Sequence, residues 1–168
     1  MITTQRPATI VRPARPGDAA ALLELCRAAH AESPRYRILR FDPAKVEDTI
    51  QAMVGTYATG APAGACVVVS EKDDHVTGVF GGVLQDHIFG PDLVAREVLF
   101  YVSPQHRGTF ARAAIKLVRA FERWAFSRGA MELVVGSSTM VTPDTTLKLY
   151  QYLGYHSHGF SMIKKRGE

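Results

Sequence analysis

The sequence predicts a single α/β domain, a mixed central β-sheet flanked by helices on both faces. Three observations predict it. Helical and extended periodicities succeed one another along the chain in the order β, α, α, three strands, α, β, α, β. The run Leu93 to Val102 is apolar on both faces, the pattern of an internal strand covered above and below. The 168 residues, 46% hydrophobic and 21% charged, suffice for one core and are short for two.

Residues 1–7 are polar and read as a loose segment ahead of a domain spanning residues 8–168. Ile10-Val11 is a short strand closed by Pro13 and Pro16-Gly17-Asp18. From Ala19 to Ala29, Leu22, Leu25 and Ala29 step by three and four, which is helical spacing. A polar stretch, Glu32 to Asp42, follows. Asp42-Pro43 is an N-cap and N1 pair for a helix running to about Tyr57. Gly60 to Gly64 is a loop.

Ala65 to Val69 is a β-branched strand turning at Lys72-Asp73-Asp74-His75, and Val76 to about Ile88 returns. Gly90-Pro91-Asp92 turns into the third strand. The longest helix follows Ser103-Pro104, from about Thr109 to Ser127. Leu117, Phe121 and Trp124 share its apolar face, and Gly129 stops it. Glu132 to Val135 is a strand, Pro143 to about Leu153 a helix, and Tyr155 to Ile163 a final strand.

Composition excludes several classes. No run approaches the ~20 apolar residues of a membrane span, and the first residues lack the apolar core of a secretory signal. Two cysteines, Cys26 and Cys66, form neither a CxxC pair nor a disulfide framework. A reducing, cytoplasmic setting is expected. A net charge of +4 fits an anionic small ligand as well as nucleic acid. His156 and His158 share a strand face without a third ligand, so no metal site is expected. The run Ser137-Ser138-Thr139 lacks the elbow of a serine hydrolase.

One segment carries chemistry: Tyr101-Val102-Ser103-Pro104-Gln105-His106-Arg107-Gly108-Thr109-Phe110-Ala111. An internal strand enters a short turn and a long helix starts at once. Unsatisfied N–H groups of the turn and first helical turn converge on one spot, which suits a phosphate. Gly108 admits a ligand close to the backbone. A second segment, Leu149-Tyr150-Gln151-Tyr152-Leu153-Gly154-Tyr155, ends a helix at Gly154 and opens the next element with an aromatic.

The first segment resembles the acyl-CoA pyrophosphate loop of the GNAT N-acetyltransferase superfamily, Gln/Arg-x-x-Gly-x-Gly/Ala. Gln105 and Gly108 match, and Phe110 departs from the usual small residue. The second resembles the family's late helix, Leu/Phe-Tyr-x-x-Leu-Gly-Phe/Tyr. The glycine-poor loop is most similar to a branch common in phages and prophages. The resemblance implies a GNAT-like fold and acetyl-CoA as cosubstrate. It places the cosubstrate on Phe100, Tyr101, Val102, Arg107, Gly108, Thr109, Phe110, Ala111 and Arg112. The acetyl group would pass to an amine, of a small molecule or a protein, by direct attack in a ternary complex. No metal and no membrane are implied.

The resemblance makes Tyr150 the acid that protonates the departing thiolate; a packed aromatic with a bonded hydroxyl is the other reading. Glu97, on the strand face of Leu99 and Tyr101, is the candidate base, or else a paired structural carboxylate. Arg112, Lys116, Arg119 and Arg123 form a basic stripe on the long helix. The stripe is a solvated face, a contact for the 3′-phosphate of CoA through Arg112 and Lys116, or, ranked last, a nucleic-acid surface. A non-catalytic CoA-binding or regulatory module is the alternative to the enzyme. The apolar last strand at the sheet edge implies a homodimer.

Overall fold

The computed structural model describes residues 8–59, 64–159 and 161–164; at 58, 59 and 108–111 it describes the backbone alone. The segment 1–7, the loop residues 60–63, Phe160 and residues 165–168 lie outside the description. Five strands form one sheet in the order β1 (Ile10–Pro13), β2 (Gly64–Lys72), β3 (His75–Asp86), β4 (Leu93–Val102), β5 (Ala130–Val134). The first three pairings are antiparallel and β4–β5 is parallel. Among the described residues four α-helices accompany the sheet: α1 (Ala19–Glu32), α2 (Pro43–Thr59), α3 (Phe110–Ser127) and α4 (Pro143–Tyr152).

The two faces of the sheet carry two cores. In β2, Cys66 and Val68 turn to one face and Val67 and Val69 to the other, and all four are buried. The first face packs against α3 and α4, with Phe80 stacked on Phe121 at 4.6 Å between ring centroids. The second packs against Leu22, Leu25 and Ala29 of α1 and Ile50 and Val54 of α2. The amphipathic reading of α3 holds: Leu117, Val118 and Phe121 are fully buried, while Arg112, Lys116, Arg119 and Arg123 are exposed. Gly82 lets α3 approach, since a Cβ there would sit 2.3 Å from the Phe121 ring. Asp42 caps α2, accepting the Lys45 N–H at 3.2 Å.

Two expectations are overturned. No strand forms among the described residues of Tyr155 to Ile163. Gly154 (φ +94°) bends the backbone just before the stretch and Gly159 (φ +77°) bends it in the middle. His156, Ser157 and His158 between them are exposed, so no face is buried to hold a ladder. The outer edge of the sheet is therefore β5, and the premise of a dimer built on the last strand is lost.

The second correction concerns β4. Gly81 pairs with Leu99 and Gly82 with Glu97, so Val98 is an extra residue without a partner, a β-bulge, and it is exposed. The bulge resets the alternation of side chains. Leu99 and Tyr101 join the α1/α2 core, while Phe100 and Val102 join the α3/α4 core. Glu97 lies with the second pair, not with Leu99 and Tyr101.

Candidate active site

The bulge divides β4 into two stretches. Leu93 to Arg96 pair with β3 on one side and β5 on the other. Beyond Arg96 the pairing with β5 stops, and the rest of β4 stays bonded to β3 alone. The sheet opens there into a cleft lined by Phe100, Tyr101 and Val102, by Arg107, and by Thr139, Thr142 and Leu149 from the β5–α4 side. Backbone donors face it. The Ser103 N–H bonds the Thr77 carbonyl across to β3 at 2.9 Å, so strand alternation turns the backbone groups of Phe100 and Val102 to the open side. Arg107 Nε donates to the Val102 carbonyl at 2.9 Å, as that geometry requires.

Glu97 and Tyr150, 53 residues apart in sequence, meet beside two residues that line the cleft without lining it themselves, since Tyr150 follows Leu149 and packs on Phe100. The Tyr150 hydroxyl donates to Glu97 Oε2 at 2.6 Å, and the Gly136 N–H, just past β5, donates to the same oxygen at 3.0 Å. The Tyr150 ring is buried between Phe100 and Tyr155, with centroids at 6.2 and 5.3 Å. Burial raises the Glu97 carboxyl above the ordinary glutamate range; the two hydrogen bonds pull it back only in part. Burial and the neighbouring carboxylate push the Tyr150 hydroxyl far up. The phenol keeps its proton and donates it in the hydrogen bond to Glu97.

The strand–turn–helix segment forms as read. Pro104–Thr109 is a 3-10 turn running directly into α3. The side chains of Gly108, Thr109, Phe110 and Ala111 lie outside the described residues. Gln105 is exposed, and Arg112 is exposed at the start of α3. Lys116 donates to the Thr9 carbonyl at 2.8 Å, which ties α3 to the chain entering β1.

Arg107 holds a partner the sequence did not announce. Its guanidinium forms a bidentate bridge to Glu32, the last residue of α1, at 2.6 and 2.9 Å. Tyr101 donates its hydroxyl to the same carboxylate at 2.8 Å. The bridge holds the Glu32 carboxyl below the usual range, while burial and that carboxylate push the Tyr101 hydroxyl up to about 12. Glu32 and Arg107 are 75 residues apart, and no local pattern pairs them. Ser33 Oγ donates to the Thr139 carbonyl, so the chain after α1 is fastened across the cleft to the β5–α4 connection.

His156 and His158 are exposed, and no cluster of three metal-ligating side chains occurs among the described residues. No described helix is long and apolar enough to cross a membrane. Cys66 is buried and Cys26 half-buried; burial pushes their thiols up to about 12 and about 11.

A sheet that parts beside a strand bulge, a helix that starts at the turn after that strand, and a phenol–carboxylate pair that joins the strand to α4 suit an acyl-transfer class of protein. Residues 22–155 match the acetyltransferase (GNAT) family model, and the chain belongs to that family. Solved structures share its fold. A ribosomal-protein-alanine N-acetyltransferase from Brucella melitensis biovar Abortus 2308 is 19% identical with TM-score 0.68, covering 95% of this chain and 100% of that one. A glucosamine-6-phosphate N-acetyltransferase from Arabidopsis thaliana is 11% identical with TM-score 0.69, covering 94% and 98%. A transcriptional regulator from Bacillus halodurans C-125 is 16% identical with TM-score 0.70, covering 94% and 100%. At these identities the likeness is one of fold. No curated protein matches the chain. The phage-type branch finds no support in these comparisons.

Proposed function

We propose that the chain is an acetyl-CoA-dependent N-acetyltransferase whose proton traffic runs through the Glu97–Tyr150 pair. The observation that carries this reading is the 2.6 Å hydrogen bond between them, which joins the opened strand β4 to α4. Acetyl-CoA lies in the opening beside Phe100, Tyr101 and Val102. Its pyrophosphate is held at the Arg107–Arg112 turn, where N–H groups and the helix dipole favour an anion. The N–H groups that β4 turns to the open side polarise the thioester carbonyl.

The amine nitrogen attacks that carbonyl, the C–N bond forms and the C–S bond breaks. Glu97 takes the proton the nitrogen sheds, and Tyr150 gives its own to the departing thiolate. The proton on Glu97 then crosses to the Tyr150 phenolate, and both groups are restored for the next turnover. The raised carboxyl suits this task, because a base closer to neutrality gives up its proton as well as taking it.

A coupled thiol-release assay with acetyl-CoA and a mixed amine panel tests the reading. Tyr150→Phe keeps the ring and removes the hydroxyl; kcat should fall roughly 10²-fold or more with CoA affinity held. Wild-type kcat in that variant would make Tyr150 core packing. The second reading, a non-catalytic CoA-binding or regulatory module, draws on Phe110 in the loop, and CoA binding without turnover on the full panel would favour it. The reading includes a cytoplasmic setting, in keeping with the unpaired cysteines. It also includes a homodimer, for which the family resemblance is the remaining support now that Tyr155 to Ile163 forms no described strand. A light-scattering mass near 18.4 kDa would contradict the dimer.

A further inference from the structure

The loop between α1 and α2 is fastened to the β5–α4 connection, which lines the cleft at Thr139, and it carries three arginines, Arg35, Arg37 and Arg40. Ser33 is fully buried; besides bonding the Thr139 carbonyl, its oxygen accepts the Tyr36 N–H at 3.0 Å. The loop is thus fixed on the β5–α4 connection. Arg35 reaches the same connection, donating Nη1 to the Ser138 carbonyl at 3.2 Å, with its guanidinium 5.2 Å from the Tyr36 ring centroid. Arg35 is half-buried, and no carboxylate pairs with it among the described residues. Exposed Arg37 and Arg40 follow on the same loop, also without a carboxylate partner there.

The nearby acids are committed elsewhere. Glu32 holds Arg107 and Tyr101, Glu97 holds Tyr150 and Gly136, and Asp42 caps α2. A partly desolvated guanidinium without a counter-charge is unfavourable until an anion arrives, and its planar fork suits an oxyanion in two-point contact. Its position is informative. Gly136, whose N–H holds Glu97, lies two residues before Ser138, whose carbonyl holds Arg35. Two residues of chain span at most about 7 Å between Cα atoms. The points on this connection that anchor Glu97 and Arg35 are thus within the length of a small molecule.

We propose that the acceptor is a small primary amine bearing an oxyanion, carboxylate or phosphate, and that Arg35 receives that group while the amine faces Glu97. This rests on the acetyltransferase reading. Arg37 and Arg40 add positive potential at the entrance, which attracts anionic amines and disfavours polycationic ones.

The test is kcat/KM for two matched pairs of amines in wild type and Arg35→Gln. Glycylglycine against glycylglycinamide isolates a carboxylate, and phosphoethanolamine against ethanolamine isolates a phosphate. The wild type should favour the anionic member of at least one pair by about tenfold or more, which also says which oxyanion fits. Arg35→Gln should bring that ratio close to one, and Arg35→Lys should recover part of it. The ratio is insensitive to a general loss of folded protein, so a merely structural role for Arg35 would not move it. Equal use of both members by the wild type, the same preference in Arg35→Gln, or no turnover of any of the four overturns the proposal. The enzyme reading falls separately, only if the wider amine panel also gives no turnover while CoA binds.

Discussion

The two stretches of β4 differ in what holds them. Leu93 to Arg96 are bonded to strands on both sides, and Val94 and Ala95 are buried. Past the bulge at Val98 the strand keeps β3 and gives up β5, and the groups it frees line the cleft. The doubly paired stretch is scaffold, with its backbone groups satisfied. On the proposed function the singly paired stretch is where acetyl-CoA meets unclaimed donors. The pair proposed to move protons sits at the border, where Glu97 lies at the bulge and is held by Gly136 beyond the end of β5 and by Tyr150 of α4.

The comparison can be broken at the border first. Glu97→Gln removes the base and should lower kcat by about 10²- to 10⁴-fold in a steady-state assay. Deleting Val98 leaves Glu97, Phe100 and Val102 on one face but straightens the strand. The circular dichroism spectrum should stay that of the α/β fold while activity falls about 10²-fold, since a displacement of about 1 Å can cost that much. Retained activity in the deletion would show that the cleft does not need the bulge.

Smaller effects sharpen it. Gly82→Ala, opposite Glu97 across β3, forces a Cβ against the Phe121 ring and should cost about 1–3 kcal/mol in denaturant unfolding. Glu32→Gln loosens Arg107 in the turn that follows the singly paired stretch and should weaken acetyl-CoA binding by several-fold to about tenfold in calorimetry.

The smallest effect is on stability against pH. Glu97 is raised in the fold, so the native state binds more protons than the unfolded chain between the ordinary and the raised value. Its contribution therefore falls as pH climbs through that window, and Glu97→Gln should remove the fall. Glu32 is lowered, and its contribution, present above the ordinary carboxylate range, is lost as pH drops through its folded value.

Much of the fold was legible because its long elements are strongly periodic. The α3 stripe of Leu117 and Phe121 against Arg112, Lys116 and Arg119 admits one reading, and the alternation of β2 places its residues correctly on both faces. The strand–turn–helix at Arg107 and the partnership of Tyr150 with the end of its helix were also visible locally. The bulge was not, since Ala95, Glu97, Leu99 and Tyr101 alternate as in a regular strand and only the pairing register betrays the extra residue. The last segment misled for the opposite reason. Apolar Phe160, Met162 and Ile163 read as a strand, but the positive φ of Gly154 and Gly159 and the exposed residues between them deny it a ladder. Glu32 was invisible because its role depends on a contact across 75 residues.

On the proposed function Glu97 and Tyr150 act as one proton relay across their shared hydrogen bond. A double-mutant cycle in kcat, with Glu97→Gln, Tyr150→Phe and the double variant at constant CoA saturation, tests it most directly. Groups that act as a unit are non-additive, so the double variant should be about as slow as the slower single variant. Losses that multiply in the double variant, or a single variant that turns over at the wild-type rate, would contradict the relay.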